Sequence, residues 1–597
     1  MPALAFVLAI GCNALFAQPA ASTRPNIVVI VADDLGYSDL GAFGGEIATP
    51  NLDALAASGT RFANFHVAGE CSPTRAMLLT GLNSHRSGVG AMRESVPPEL
   101  EGRPGYLTVL DRDVVTVSSL LQRGGYRTYA VGKWHVGKEA YNLPPARGFD
   151  RSLVQGDSGS DNWEPAQRYL ALTDRVNWFA DGKPARMPAE FYSSTFYVDR
   201  AIEWLRADRG SKPFFLYLAF QANHIPLQAP REFIERQRGR YDVGWQKIRE
   251  RRHARAIELG LIRPDAPLAN WPTLEDWASL DPTRRAYDAR RMEVYAAMLE
   301  AMDHEIGRLR AALRALDEER DTVFVFLSDN GAEASDPYEY LSGRLWLMTQ
   351  YSNDIDRLGG KGGYTSIGAN WASAAAAPLA THKFYAGEGG LRVPLIISGP
   401  VGGASTDGKA ATARGGIHSG FTYVTDITPT LLELAGLEHP GRADGVEPLQ
   451  GKSLLPVLRG LAERIRKPEE WVGYELAGNA ALFAGDLKLV RNLPPIGDGD
   501  WQLFDITNDP GETRDLRDSR VKDFERLLDY YKTFEREEGV LPLPEGYEPR
   551  EQVTRNALRR VILPSLTGPL LALLGVGLVW LLWRRRGTLR GALRKLT

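Results

Sequence analysis

Five short apolar runs rich in β-branched residues recur along the chain and predict buried strands. The two clearest cover residues 26–36 and 322–331, and the others cover 127–137, 212–224 and 393–400. Each run is continuous, which is typical of a strand covered on both faces. Because amphipathic stretches lie between the runs, the sequence predicts an α/β fold with a mixed, mainly parallel sheet flanked by helices.

Two of these runs end in acidic and amide residues. Asp33 and Asp34 follow the first run, and Asp329 and Asn330 end another. In open α/β sheets, ligands bind beyond the carboxyl ends of the strands. One Asp-Asp pair is more often a helix cap or a solvated turn. Two acidic strand ends in one sheet instead indicate a site for a hard cation, Ca²⁺ or Mg²⁺.

Three further regions have distinct patterns. Residues 231–310 are heavily charged and predict a solvated helical insertion, whereas 335–380 are rich in glycine and aromatics and predict an irregular loop at a substrate rim. Beyond about residue 450, apolar strands with turns precede a helix near 520–536. We expect residues 446–548 to form a small α+β subdomain.

The two ends of the chain are apolar. Residues 1–22 resemble a secretory signal peptide. Residues 561–583 carry no charge and are long enough to cross a hydrocarbon core of about 30 Å, which predicts a transmembrane helix. Arg559 and Arg560 precede this run and a basic tail, 584–597, follows it. The positive-inside rule then places the tail in the cytoplasm and the body on the periplasmic or extracellular face.

Composition narrows the class of ligand. The 597 residues are 44% hydrophobic and 24% charged, and the net charge is -3, as in an ordinary globular protein. Six of the positive charges lie in residues 584–597, so the rest of the chain is mildly acidic. This argues against nucleic-acid binding. An anionic substrate would have to be attracted by local cations.

One cysteine stands in an unusual context. The chain has only Cys12 and Cys71, so removal of the amino-terminal segment leaves Cys71 without a disulfide partner. Ser72 suits a helix N-cap and Pro73 suits the first turn, which places Cys71 just before a helix amino terminus that favours an anion. Arg75, one turn further on, adds a cation.

The stretch Cys-x-Pro-x-Arg followed by AMLLTG resembles the signature of the type I sulfatases, in which the cysteine is converted to Cα-formylglycine. The same family resemblance extends to residues 25–41, 49–62, 132–137, 328–331 and 387–396. Residues 140–165 and 231–380 are similar to the bacterial arylsulfatase branch. The resemblance implies an alkaline-phosphatase-like fold with a catalytic domain over 25–445.

The resemblance also implies a set of site residues. Ca²⁺, with Mg²⁺ less favoured, would be held by an oxygen of modified Cys71 and by Asp33, Asp34, Asp329 and Asn330. The remaining members of the implied site are the catalytic residues Arg75, His135 and His224 and the sulfate-binding residues Lys133 and Lys383. A divalent ion with several cations suits the charge on a sulfate ester. Alternation along a strand end would point Lys133 and His135 to one side.

The family mechanism uses the hydrated aldehyde at position 71. One of its hydroxyls attacks sulfur, and His224 is the first candidate for the acid that protonates the leaving alcohol. His135 is the candidate base that deprotonates the second hydroxyl and thereby expels sulfate. A formylglycine-generating maturation enzyme is an implied partner.

The sequence therefore predicts a membrane-anchored sulfatase that acts on small-molecule sulfate esters, most plausibly aryl sulfates. Three alternatives remain open. A phosphonate or phosphate mono- or diester hydrolase would use a related site. A cysteine-thiolate hydrolase would use a thiol whose pKa is lowered by the helix and the cations. A non-catalytic, calcium-stabilised, membrane-anchored surface protein belongs to another class.

Overall fold

The strands form two sheets and one two-stranded ladder in a computed structural model that describes residues 24–401, 416–565 and 580. The strands of the described residues are β1 (Asn26–Ala32), β2 (Thr60–Phe62), β3 (Phe65–His66), β4 (Arg127–Lys133), β5 (Arg151–Gln155), β6 (Trp178–Ala180), β7 (Lys183–Pro184), β8 (Phe214–Ala219), β9 (Thr322–Ser328), β10 (Leu395–Ser398), β11 (Gly416–His418), β12 (Thr422–Tyr423), β13 (Trp471–Leu476), β14 (Asn479–Ala484), β15 (Leu487–Arg491) and β16 (Trp501–Asp505).

Helices lie between these strands throughout the described chain. They are α1 (Pro50–Ser58), α2 (Cys71–Thr80), α3 (Val117–Arg123), α4 (Ser193–Ala207), α5 (Arg231–Arg236), α6 (Gly244–Glu258), α7 (Pro282–Ala315), α8 (Leu341–Gln350), α9 (Gly368–Ala375), α10 (Glu388–Leu391), α11 (Ile427–Leu434), α12 (Leu455–Leu458), α13 (Val521–Glu538) and α14 (Pro549–Ala557).

The larger sheet has ten strands in the order β11-β2-β10-β9-β1-β8-β4-β5-β6-β7. Its central strands, from β9 through β1, β8 and β4 to β5, are parallel to one another. Antiparallel pairing appears on both sides, where β10 joins β9 and β6 joins β5. The predicted mixed sheet flanked by helices is confirmed, and all five apolar runs contribute strands to it.

Strand β1 shows why its sequence is apolar at every position. Val28 and Ile30 belong to one apolar cluster, which includes Met298 of α7. Ile27 and Val29 point to the opposite face, into a second cluster that includes residues of α2 and α11. Burying a side chain of this size contributes about 1.5–3 kcal/mol. Helices therefore cover both faces of the sheet and place the ends of its central strands between them.

The second sheet is antiparallel, in the order β13-β14-β15-β16. One of its faces packs on α13, where Leu482 and Leu489 share a cluster with Leu527. On the other face, Phe483 and Val490 belong to the same apolar cluster as the larger sheet. The two sheets thus share a core, and the domain boundaries drawn from the sequence stay predictions.

A buried ion-pair network also joins the second sheet to α10 and, through α10, to β3. Lys488 of β15 places its Nζ 2.9 Å from Glu388 Oε1 and 2.8 Å from Glu512 Oε1. His66 Nε2 lies 3.0 Å from Glu388 Oε1 on the other side. Lys488, Glu388 and His66 are fully buried, so the charges of Lys488 and Glu388 depend on each other, whereas burial lowers the pKa of His66.

Helices interrupt the region predicted to be one irregular loop. Residues 335–380 contain α8 and α9. Helix α9 is built mainly from alanine and other small residues, and Trp371 within it is fully buried. A helix buried on most sides lacks the apolar-polar period that marks an amphipathic helix, which explains why the sequence pattern missed it.

The carboxyl-terminal part of the fold requires a correction. Among the helices of the described residues, none combines the length and the apolar character needed to cross a membrane. This finding leaves the predicted transmembrane helix, and the membrane-anchored location derived from it, without support in the part of the chain that the structure describes. Arg559 and Arg560, interpreted as flanking topology signals, instead form ion pairs with Glu101. Most of 561–583, and all of 1–22 and 584–597, lie outside the described residues.

Candidate active site

The ends of two neighbouring strands create the site. In the parallel pairing of β1 with β9, Ala32 is opposite Ser328, so the residues that follow both strands meet at one edge. Ligand atoms of four buried side chains lie within 4.8 Å of one another: Asp33, Asp34, Cys71 and Asp329. Burial and the neighbouring Asp329 carboxylate raise the pKa of Asp33 to about 7.

Helix α2 brings Cys71 to this edge. The helix begins at Cys71 itself, with Glu70 as the capping residue, two positions earlier than the Ser72 cap predicted from sequence. Cys71 Sγ lies 3.6 Å from Asp33 Oδ1, and the side chain is 1% exposed. Burial, helped by Asp329, raises the pKa of the Cys71 thiol well above its usual value. This shift is opposite to what a thiolate nucleophile requires.

Arg75 connects three elements of the site. Its Nε donates to Asp329 Oδ2 at 2.8 Å, and its Nη2 lies 2.6 Å from the same oxygen. Its Nη1 donates to the Lys133 carbonyl oxygen at 2.8 Å. Burial alone would raise the pKa of Asp329, but Arg75 and Lys133 hold it below its usual value. Arg75 therefore fixes α2 to the ends of β9 and β4.

Two lysines neutralise the other carboxylates. Lys133 Nζ lies 2.6 Å from Asp33 Oδ2, at the last residue of β4. Lys383 Nζ lies 2.7 Å from Asp34 Oδ1 and 3.1 Å from Glu333 Oε2. Both ammonium groups are almost completely buried, so they form fixed positive charges rather than a mobile surface patch.

His135 reaches the site differently from the prediction. Strand β4 ends at Lys133, and His135 has a φ of +56°, so strand alternation does not position it. A non-glycine residue in this left-handed region costs about 1–2 kcal/mol. His135 Nε2 lies 3.9 Å from Glu94 Oε2, too far for a hydrogen bond. Burial lowers the pKa of His135, although the Glu94 carboxylate opposes the shift.

His224 has a defined tautomer. Its Nδ1 lies 2.6 Å from the Ile225 carbonyl oxygen, which can only accept, so Nδ1 carries the proton. The other nitrogen, Nε2, lies 3.8 Å from Asp34 Oδ2. Burial, together with Lys133 and Lys383, lowers the pKa of His224 well below its usual value. The resting imidazole is therefore neutral, with Nε2 free to accept a proton.

Three residues that the sequence analysis did not predict touch this constellation. Glu333 pairs with Lys383, and its position three residues after Asn330 was an available signal. Glu94 faces His135 from a loop without any recognisable pattern. The Tyr169 ring lies 5.2 Å from the His224 ring in an edge-to-face contact.

The donor set fits a hard divalent cation. Asp34 Oδ2 and Asn330 Oδ1 are buried oxygens without a hydrogen-bond partner among the described residues. Asn330 Nδ2 donates to Asp34 Oδ1 at 2.7 Å, which holds the two side chains together. Carboxylate and amide oxygens are the ligands that Ca²⁺ and Mg²⁺ prefer.

Comparisons with known proteins agree with this geometry. The sequence model of the sulfatase family matches residues 25–437. An uncharacterized sulfatase of Schizosaccharomyces pombe is 36% identical over 555 residues, which cover 89% of this chain and 97% of that protein. The arylsulfatase of Klebsiella aerogenes is 36% identical over 459 residues, covering 76% of this chain and 94% of that protein.

A solved structure supports the fold. The structure of Ps i-CgsB in complex with k-i-k-neocarrahexaose matches with a TM-score of 0.61 at 24% identity, covering 91% of this chain and 98% of that chain. The fold is thus the alkaline-phosphatase-like α/β fold. The chain belongs to the sulfatase family and is an enzyme that hydrolyses sulfate esters.

Proposed function

We propose that this sulfatase hydrolyses aryl sulfates at a Cα-formylglycine formed from Cys71, with Ca²⁺ held by Asp33, Asp34, Asp329 and Asn330. The placement of Cys71 carries the proposal. It is the first residue of a buried helix, 3.6 Å from Asp33, and its thiol is poorly suited to act as a thiolate. The similarity to an arylsulfatase over most of both chains supports an aryl substrate.

The charges of the site support an anionic substrate bound together with a divalent cation. Three buried carboxylates of the metal site face three buried cations, Arg75, Lys133 and Lys383. Glu333 adds one further negative charge beside Lys383. A divalent cation would leave this site with an excess of positive charge, which the oxygens of a sulfate ester would balance.

The proposed divalent ion and modified residue would each supply specific chemistry. When bound, a divalent ion polarises a sulfate oxygen and stabilises negative charge on it. The modified residue supplies a hydroxyl nucleophile for sulfur and a second hydroxyl whose deprotonation allows sulfate to leave. A serine at this position would provide only the first of these functions.

The buried lysines bind the sulfate group and stabilise the negative charge that develops on it during the reaction. Lys133 and Lys383 are within 2.7 Å of the carboxylates of Asp33 and Asp34, so they can donate to sulfate oxygens bound at the same edge. Arg75 keeps Asp329 oriented through two contacts to one oxygen. Because these groups are buried, water does not compete for them.

The two histidines move protons at defined atoms. His224 Nε2 is unprotonated at rest, and a bound anion would raise its pKa so that it takes up a proton. It then donates this proton to the leaving oxygen. His135 is neutral and accepts the proton whose loss releases sulfate. His224 is neutral again once the leaving oxygen has its proton, whereas His135 returns to its neutral form by releasing the accepted proton to water.

One pair of measurements tests the proposal. Turnover of 4-nitrophenyl sulfate should exceed that of 4-nitrophenyl phosphate, and Cys71→Ala should abolish the sulfate reaction without unfolding the protein. A clear preference for phosphate would instead establish the phosphate-ester alternative. Mass spectrometry of the peptide that contains residue 71 should detect the aldehyde, which requires a maturation enzyme as a partner. An unmodified thiol in the active enzyme would refute the mechanism.

A further inference from the structure

A cavity of about 160 Å³ adjoins the active site and is built partly by the carboxyl-terminal helix. Its inner wall includes Ser72, which follows Cys71, and His135. Leu172 lies on another side, in the same loop as Tyr169, which packs against His224. The cavity therefore lies beside His135 and the residue that follows Cys71, so a group attached to a sulfate bound at this edge can extend into it.

Helix α14 and the π-helical turn that follows it, Leu558–Ile562, form the outer wall. Val553, Asn556, Ala557 and Arg560 line the cavity from this segment. Their spacing of three or four residues places them on one face of the helix. Neighbouring Leu558 does not line the cavity and is 45% exposed.

Hydrogen bonds connect this wall to the loop that carries Glu94. Asn556 Nδ2 donates to the carbonyl oxygens of Glu94 at 2.9 Å and Val96 at 2.8 Å. Tyr547, just before the helix, donates its hydroxyl to the Ser95 carbonyl oxygen at 2.9 Å. Arg560 Nη2 lies 2.8 Å from Glu101. These contacts hold the helix in place, so its side chains form a defined surface for a ligand.

The size and the lining of the cavity indicate what it holds. The lining is mixed: seven of the residues around the cavity are charged, and five apolar ones come from both walls, Val109, Leu172, Val553, Ala557 and Val561. A cavity of about 150 Å³ is large enough for a benzene ring, and the apolar residues offer its faces a surface to pack on. We propose that one aromatic ring of the leaving alcohol binds here and that α14 sets the selectivity for its size. This inference rests on the proposed aryl sulfatase activity and extends it.

Filling the cavity tests the assignment. Ala557→Trp should raise the KM for 4-nitrophenyl sulfate about tenfold, because the new side chain occupies the space of the ring. Inorganic sulfate needs only the cation site, so its inhibition constant should stay within twofold of the wild-type value. Leu558→Trp, which adds the same bulk at the next position, is the matched control and should change neither constant.

A second variant enlarges the cavity instead. Val553→Ala should increase, several-fold, the ratio of kcat/KM for 1-naphthyl sulfate to that for 4-nitrophenyl sulfate. This variant removes volume, so it keeps the inference testable if Ala557→Trp does not fold, as judged by its thermal unfolding.

The outcomes separate the inference from the proposed function. An unchanged KM in Ala557→Trp, or an equal loss of affinity for inorganic sulfate, would overturn the role of α14. An unchanged size ratio in Val553→Ala would also count against it. A wild-type enzyme that turns over other sulfate esters but no aryl sulfate would refute the aryl proposal itself, before either variant is measured.

Discussion

Replacing Arg75 with lysine tests whether the shape of the guanidinium group, beyond its charge, organises the site. Arg75 uses two nitrogens on Asp329 Oδ2 and a third on the Lys133 carbonyl oxygen. A lysine has one ammonium group on a shorter reach, so it can keep one charged contact with Asp329. It would lose the second contact and the donor to Lys133.

The expected magnitude follows from these contacts. A hydrogen bond to a charged group contributes about 1.5–3 kcal/mol, and a buried carbonyl left without its donor costs about 1–3 kcal/mol. Because Asp329 also belongs to the metal site, we expect these lost interactions to raise the activation free energy by about 3 kcal/mol. Since 1.36 kcal/mol is a factor of ten in rate, kcat/KM should fall about a hundredfold.

The assay compares Arg75→Lys with Arg252→Lys. Arg252 is also fully buried and also contacts two carboxylates, Asp39 at 2.6 Å and Glu46 at 2.8 Å, but it lies outside the site. Both variants should lower the thermal unfolding temperature, whereas only Arg75→Lys should lower kcat/KM for 4-nitrophenyl sulfate. Equal activity losses in the two variants, or wild-type activity in Arg75→Lys, would refute the reasoning.

Three other outcomes are expected. In acid, kcat should fall only below pH 6.5, because burial lowers the pKa of the His135 base. Glu94→Gln should move this fall in kcat to lower pH, because it removes the negative charge that keeps the pKa of His135 from falling further. Lys488→Met should cost about 3–5 kcal/mol in unfolding free energy, because Glu388 and Glu512 lose their shared cation. Dialysis against a chelator should abolish turnover, and Ca²⁺ should restore it.

Each of these outcomes has a decisive measurement. A pH profile of kcat that moves to higher pH in Glu94→Gln would contradict the assignment of His135 as the base. Calorimetry of Lys488→Met that shows no loss of stability would contradict the coupling of the second sheet to α10 through this ion pair. Restoration of the chelated enzyme by Mg²⁺ but not by Ca²⁺ would overturn the choice of metal.

The sequence predicted the parts of the site that depend on local pattern. Continuous apolar runs identified the central strands, and parallel pairing of two such strands necessarily brings Asp33 close to Asp329. The start of α2 was misplaced by two residues because Ser72 and Pro73 also fit a cap and a first turn. In the structure they are the second and third residues of the helix.

Other parts depend on contacts between distant segments. Glu94 lies beside His135, and Asn556 donates a hydrogen bond to the Glu94 carbonyl oxygen. These residues are far apart in the sequence, so a local pattern cannot predict the contacts. The described residues also leave the membrane prediction unsupported. Hydropathy treats Arg559 and Arg560 as flanking charges and cannot show that they pair with Glu101 on the body of the enzyme.

The shared core has a consequence for the order in which the molecule is made. Gly69, two residues before Cys71, donates its amide to the Tyr474 hydroxyl at 3.0 Å, across 405 positions of the chain. At about 5–20 residues per second, ribosomes need roughly 20–80 s to cover that separation. During this interval the segment around Cys71 lacks the strand that later closes over it. If Cys71 is converted as proposed, the modifying enzyme would have access to it while the chain is still being synthesised.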